Sequence, residues 1–289
     1  MFGNIDEYYI PYIAIGPGGK IRNSQYREIL PENNAGLPVV PQILCANPHE
    51  LRQLANEIKN FGYKKINLNL GCPYPMATKR GRGTGLLESP DMLKQVLEML
   101  FSDFDFEVSV KFRSGLIDEK TITERVELLQ HYPFEKLIFH PRTAKQLYKG
   151  TTNRELFARL SKMLQLPMVY NGDIQSAEDL KELKSLVPGQ NEWMIGRGVL
   201  SDPLFIGKLN GEQLNEQEQL DMKRQFHQLI LESYLSIYSD EGHVLSKMKQ
   251  FWSYFANGFP NPSKTFKPVK KSAKLSRFME VYPTIFQSR

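Results

Sequence analysis

Seven short apolar segments, each followed by a stretch of helical hydrophobic spacing, predict an α/β protein. The predicted architecture is a TIM (β/α)8-type barrel lacking its first βα unit, followed by a small all-helical domain. Three observations carry this. The candidate strands, residues 8–15, 39–45, 65–70, 107–112, 136–140, 167–170 and 193–195, are rich in β-branched and apolar side chains, as strands buried on both faces are. They alternate with amphipathic stretches up to about residue 210, where the strand signal stops. The strand count falls one short of the closed barrel, and the first strand sits at the very start of the chain, in the position of a second strand.

The helices between the strands carry their own start signals. Asn47-Pro48-His49-Glu50 places a cap, a first-turn proline and a capping-box glutamate before Leu51, Leu54, Ala55 and Ile58, and Gly62 follows the end. Ser89-Pro90-Asp91 opens a second helix with the stripe Leu93, Val96, Leu97 and Leu100. Thr121 with Glu124, and Ser176 with Asp179, begin two more. Residues 214–237 and 241–257 read as helices, the first with Met222, Phe226, Leu229, Ile230 and Leu235 on one side. Phe259-Pro260-Asn261-Pro262 breaks the chain, and a final basic helix runs to about Phe278. The expected domains are therefore residues 1–210, the barrel, and residues 211–289, the helical domain.

Composition bounds the function. The 289 residues, 41% hydrophobic and 24% charged, are those of a globular protein with one large core. No apolar run is long enough to span a bilayer and no leader pattern opens the chain, so we expect a cytoplasmic, non-membrane monomer. Two cysteines, Cys45 and Cys72, make neither a disulfide framework nor a metal set. The net charge of +5 leans towards an anionic partner. Eight basic residues and no acidic ones lie between Lys247 and Met279, interleaved with aromatics. A solvated face, a membrane surface or a nucleic-acid surface would each account for that run; phosphate neutralisation is the sharpest of the three.

The strand ends carry the chemistry-bearing residues. Residues 66–76 read Ile-Asn-Leu-Asn-Leu-Gly-Cys-Pro-Tyr-Pro-Met, a strand that stops at a lone cysteine between Gly71 and Pro73. Cys72 reads either as a small buried apolar residue or as a thiol fixed where parallel barrels bind ligands. A basic, glycine-rich loop with Lys79, Arg80 and Arg82 follows it. The other strand ends offer Gln42, Asn69, Lys111, His140 with Arg142, Asn171-Gly172-Asp173 and Gly196-Arg197-Gly198. The last two loops follow the final strands, where such barrels bind phosphate through backbone N–H groups.

Together these motifs resemble the tRNA-dihydrouridine synthases. The strings PVVPQI, NLNLGCPYP, GTGLL, VSVKFRSG, HPRTAKQLY, YNGDI and MIGRGVLSDP match in order and spacing from about residue 38 to 206, and more loosely through the C-terminal helices. The family often has Gly or Ala where Pro141 stands here. The resemblance implies an oxidoreductase acting on a CH–CH group, which reduces specific tRNA uridines to 5,6-dihydrouridine with FMN and takes electrons from NADPH or NADH. It implies that Gln42, Lys111 and His140 contact the isoalloxazine ring. Asn171, Gly172, Asp173, Gly196 and Arg197 match the ribityl and phosphate positions, and Asn69 and Arg142 the uracil. Cys72 would be the proton donor to C5 after hydride reaches C6. A thiol titrates near ~8.5 in ordinary surroundings and so carries its proton at neutral pH. The C-terminal helices resemble the family's tRNA-binding domain, with Lys267, Lys270, Lys271 and Lys274 as its cations beside Lys79, Arg80 and Arg82 of the barrel.

The main departure is at the start. Residues 1–9 read as the lead-in to a second strand, and nothing corresponds to the family's first strand and its flavin-lining loop. A missing first unit would cost stability and flavin affinity. Two other functions fit parts of the pattern: a flavin oxidoreductase acting on a free pyrimidine, and a catalytically impaired RNA-binding relative. The basic aromatic tail speaks against the first, and Cys72, Lys111 and His140 against the second.

Overall fold

A computed structural model describes residues 5–287, so residues 1–4 of the expected lead-in lie outside the described residues. The chain divides into two compact units. One comprises Asp6–Asp173 with Lys181–Met194, and the other Ile174–Leu180 with the chain from Ile195 onward.

The first unit holds the strands of a (β/α)8-type barrel: β1 (Tyr8–Tyr9), β2 (Val39–Val40), β3 (Gln42–Ile43), β4 (Lys65–Leu70), β5 (Glu107–Arg113), β6 (Lys136–His140), β7 (Met168–Asn171) and β8 (Trp193–Met194). All pairings between them are parallel, with β1 on β2 and then β3 to β8 in sequence order. Two expected strands are broken by proline. Residues 8–15 pair at Tyr8–Tyr9 and again at Ile13, opposite Ile43, with Pro11 between. Residues 39–45 split at Pro41, which has no N–H to donate but whose carbonyl still accepts from Asn67 at 2.9 Å. Among the described residues no ladder joins β8 to β1.

Alternation along β4 and β5 sorts their side chains into two layers. Ile66, Leu68 and Leu70, with Val108, Val110 and Phe112, are at most 2% exposed and form the apolar layer, where Phe112 stacks on Phe139 at 4.9 Å. Asn67, Asn69, Ser109 and Lys111 take the intervening positions, so a polar column lines the opposite face. At its amino-terminal end Lys65 pairs with Glu7, Glu107 and Glu135, and Lys136 with Glu7, Glu135 and Glu192. The helix Pro48–Asn60 starts as its sequence signals: the Asn47 side chain accepts from Glu50 N. Ser176 and Asp179 form a reciprocal box, but Ser89 and Thr121 cap nothing through their side chains.

The second unit is helical: Glu216–Ile237, Glu241–Phe255, Pro262–Lys271 and Leu275–Ile285 are its longer helices. The expected final helix is two, separated at Ser272–Lys274, and the second runs on to Ile285. The expected stripe of Glu216–Ile237 is met in part: Phe226 and Ile230 pack against the core, but the fully buried side is another. It is Lys223, His227 and Leu231, while Leu229 and Leu235 are 56% and 44% exposed. That side meets the aromatic cluster of Trp252, Phe255, Phe278 and Phe286, and the His227 ring lies tilted against Trp252, Phe278 and Phe286. Among the described residues no helix is long and apolar enough to cross a membrane.

Candidate active site

Cys72 sits just beyond β4 and is 5% exposed. Its position is held from two sides. Gly71 lies so near β5 that a Cβ there would come within 3.3 Å of the Phe112 backbone. Gly83, at φ +58, folds the following loop back over the cysteine; a Cβ on it would stand 2.6 Å from Cys72 Cβ. Thr84 then donates from both its backbone N and its Oγ1 to the Cys72 carbonyl, each at 3.2 Å. The sequence pattern did not single out Thr84, whose role depends on a twelve-residue loop closing on itself. Cys72 packs with Ala14, Leu44, Ala77 and Tyr12. Cys45, by contrast, is fully buried, and burial pushes its thiol up to about 12.

Below the thiol the polar column forms a hydrogen-bonded chain. Asn69 Nδ2 donates to Gln42 Oε1 at 2.6 Å, Gln42 Nε2 to Asn67 Oδ1 at 2.7 Å, and Asn67 Nδ2 to Ser109 Oγ at 2.9 Å. Gln42 and Asn69, expected to serve flavin and uracil, are thus each other's partners. Asn67 and Ser109 support them, and only their alternation with the apolar positions marks them in the sequence.

Lys111 lies beside Asn69 in register and is half-buried. Its ammonium has no hydrogen-bond or ion-pair partner among the described residues. Burial, with Arg113 adding like-charge repulsion, draws it down to about 7. Arg113 itself is fixed by the Leu147 carbonyl at 2.7 Å and lies 5.3 Å from the Tyr148 ring. The mouth thus holds one cation tied to the backbone and one that is not.

His140 ends β6 and is 5% exposed. Gly172, at φ +138, runs against it; a Cβ there would meet Thr152 Cγ2 at 2.7 Å and His140 Cδ2 at 3.0 Å. Asn171 donates to the Met194 carbonyl at 2.8 Å, and Asp173 takes a left-handed backbone at φ +47. Arg142 is 1% exposed and grips Asp173 with both terminal nitrogens, at 2.9 and 2.5 Å, while also donating to the Gly150 carbonyl. Gly196 and Arg197 belong to the other compact unit, where Gly196 is exposed and precedes the short helix Arg197–Ser201.

The expected basic surface needs one correction. Lys79 and Arg80 are exposed, but Arg82 is buried at 8%. Its guanidinium is bidentate on Glu50, at 2.6 and 3.0 Å, and donates to the Ile15 carbonyl at 2.8 Å. It braces the Cys72 loop from within, its Nε and Nη2 taken up by Glu50 and Ile15, rather than standing out in solvent. In the helical unit Lys267, Lys270, Lys271 and Lys274 are all exposed, as are Lys264 and Arg277. Lys264, Lys267 and Lys271 share one helix face by their spacing.

The comparisons by sequence point to one family. The dihydrouridine synthase family matches residues 20–282. A tRNA-dihydrouridine(16) synthase of Cupriavidus necator is 25% identical over 257 residues, covering 86% of this chain and 79% of that protein. A relative with the same description in Vibrio parahaemolyticus is 25% identical over 267 residues, covering 89% of this chain and 81% of that protein. The tRNA-dihydrouridine synthase B of Pasteurella multocida is 29% identical over 185 residues, covering 64% of this chain and 53% of that protein.

Proposed function

This chain belongs to the dihydrouridine synthase family, and from that premise we propose that it reduces uridines of tRNA to 5,6-dihydrouridine, with FMN as cofactor and NADPH or NADH as electron source. The observation that carries the proposal is a thiol, Cys72, clamped at the end of β4 above a polar column in which Lys111 has no partner among the described residues.

The residues present fit FMN. A half-buried lysine drawn down to about 7 with nothing to compensate it calls for an electron-rich partner, and the flavin pyrimidine edge is one. Gln42 and His140 flank that cation on β3 and β6 and would contact the ring. Asn171, Gly172 and Asp173 would meet the ribityl chain, and Gly196 with Arg197 the phosphate. The chemistry that FMN supplies when bound is transfer of a hydride from the nicotinamide to C6 of uracil. The protein's part is to hold the base and protonate it. Asn69 would orient the uracil by its amide. Arg142 would stabilise charge on the carbonyl side and give up part of its hold on Asp173 to do so. Cys72 would deliver its proton to C5. A uracil within a folded tRNA must be extruded to reach such a buried thiol. The exposed Lys267, Lys270, Lys271 and Lys274, with Lys79 and Arg80, would grip the phosphates of that tRNA.

The test supplies the holoprotein with NADPH and unmodified tRNA and measures dihydrouridine by mass spectrometry. Wild type is expected to form it. Cys72→Ala is expected to lose at least about a hundredfold in rate, while retaining FMN and its reduction by NADPH. Reduction of free uracil with tRNA untouched would make this a pyrimidine reductase, and an undiminished Cys72→Ala rate would remove the thiol from the chemistry.

A further inference from the structure

Lys223 is a buried cation that no step of the proposed chemistry uses. It stands on the helix Glu216–Ile237 and is 7% exposed. Its ammonium donates to the Gly258 carbonyl and lies 3.8 Å from Asp202 Oδ1 and 5.2 Å from the Phe259 ring. Both polar partners lead to one segment, the turn that carries Gly196 and Arg197. Asp202 ends that turn: its N–H donates to the Gly198 carbonyl at 3.0 Å, and its carboxylate accepts from Leu204 N at 3.0 Å and pairs with Lys208 at 2.6 Å. Gly258 closes directly on it, since a Cβ there would stand 2.3 Å from the Ser201 carbonyl oxygen. Gly198 is confined as well: a Cβ on it would come within 2.9 Å of the Ile174 carbonyl oxygen. All of these residues lie in one compact unit.

We propose that Lys223 is a positioning residue for the flavin phosphate: by holding Asp202 and Gly258 together it fixes the backbone of residues 196–202 in the shape that receives the phosphate. The proposal rests on the assignment of Gly196 and Arg197 to that group. Packing does not call for the charge. Burial holds the ammonium below the usual lysine range, and a methionine would fill the same space without that cost. What the ammonium adds is one donor group that reaches the Gly258 carbonyl and the Asp202 carboxylate at once. A phosphate bound through backbone N–H groups needs those groups already aimed, because ordering them on binding costs affinity.

Two variants loosen the turn by different routes. Lys223→Met removes the ammonium and keeps the length of the side chain, whereas Gly258→Ala keeps the ammonium but pushes on the Ser201 carbonyl. Binding to the apoprotein is followed by flavin fluorescence, with FMN and with riboflavin, which has the same ring and ribityl chain but no phosphate. Each variant is expected to bind FMN about tenfold more weakly and riboflavin as wild type does. A purely structural role would weaken both flavins alike. Separately, hydrogen exchange of the apoprotein, read by mass spectrometry, is expected to be about tenfold faster at residues 198–204 in Lys223→Met and unchanged in Glu107–Arg113. The exchange needs no flavin, so it judges the grip of Lys223 on the turn whatever the ligand does. Equal loss of both flavins, undiminished FMN affinity in either variant, or unchanged exchange at residues 198–204 would each overturn the proposal. Wild type holding FMN no more tightly than riboflavin would instead remove the phosphate from this turn, and the proposal would fall with the assignment it rests on.

Discussion

Asn67 of the barrel unit and His227 of the helical unit are both fully buried, yet the amide has both of its ends hydrogen-bonded and the imidazole has neither nitrogen engaged. The barrel repeats the first pattern at Gln42, Asn69, Arg82 and Arg142, each tied to a named partner, although Ser114 Oγ and Arg142 Nε are buried there without one among the described residues. The helical unit repeats the second at Trp252, whose Nε1 is also without a partner among the described residues. His227 lies instead among rings, 4.4 Å from Tyr282, 5.4 Å from Trp252 and 5.6 Å from Phe286. Polar groups inside the barrel are thus mostly tied to one another by hydrogen bonds near the strand ends. Inside the helical unit His227 and Trp252 fill space among rings, and most of its lysines are exposed.

The contrast is broken most forcefully at Arg142. Asp173→Asn keeps a residue that tolerates φ +47 but leaves the guanidinium, 1% exposed, without its counter-charge. Removing one partner of a buried pair costs about 3–5 kcal/mol, and urea unfolding is expected to show a loss in that range. A loss under about 1 kcal/mol would place Arg142 in contact with solvent and end the claim that barrel polarity is tightly paired.

Much of this was legible in the sequence, and most of the failures share one cause. Strand positions, the capped helix after Asn47 and the placement of Cys72 follow from local pattern, and the structure has them. Pro11 and Pro41 broke strands that hydrophobicity alone had run together. Arg82 looked like a solvated loop cation because its partner, Glu50, lies in the first turn of a helix 32 residues earlier. Lys223, which no motif included, has its ammonium buried on the Gly258 carbonyl, 5.2 Å from the Phe259 ring. Apart from the two prolines, what the pattern missed is polar residues whose burial is decided by a distant contact that periodicity does not report.

His227 gives the next largest effect, and only in acid. Burial pushes its imidazole down to about 3, so it is neutral in the folded protein. The unfolded chain protonates it near ~6.5, and therefore binds more protons than the folded state between those values. Stability contributed by the neutral ring is full above pH ~6.5 and declines as pH falls towards 3, by at most about 1.4 kcal/mol per pH unit. His227→Phe fills the same ring cluster without a titrating group. It is expected to melt within a few degrees of wild type at pH 7 and clearly above it at pH 4.5. Equal acid sensitivity in the two proteins would mean that water reaches His227, and the helical interior would then resemble the barrel's.

Lys111 sharpens the comparison from the barrel side, because it is the mouth cation without a partner among the described residues. Its ammonium, drawn down to about 7 by burial and by Arg113, is mostly neutral at pH 8 in the protein alone. An unfolded lysine stays charged to ~10.4, so the folded apoprotein binds fewer protons between those limits and gains stability as pH rises through them. A ligand that needs the charged form reverses the balance: it must bring a proton to Lys111 as it binds. The affinity of apoprotein for FMN, followed by flavin fluorescence, is therefore expected to be flat below pH 7. Above that it should weaken, by at most about tenfold per pH unit. Lys111→Met is expected to bind FMN more weakly at pH 6 and to show no such fall, since nothing remains to protonate. A wild-type curve as flat as that of Lys111→Met would mean that the cation does not face the flavin, and the unpartnered lysine would then be the barrel's counterpart to His227, buried polarity with no task.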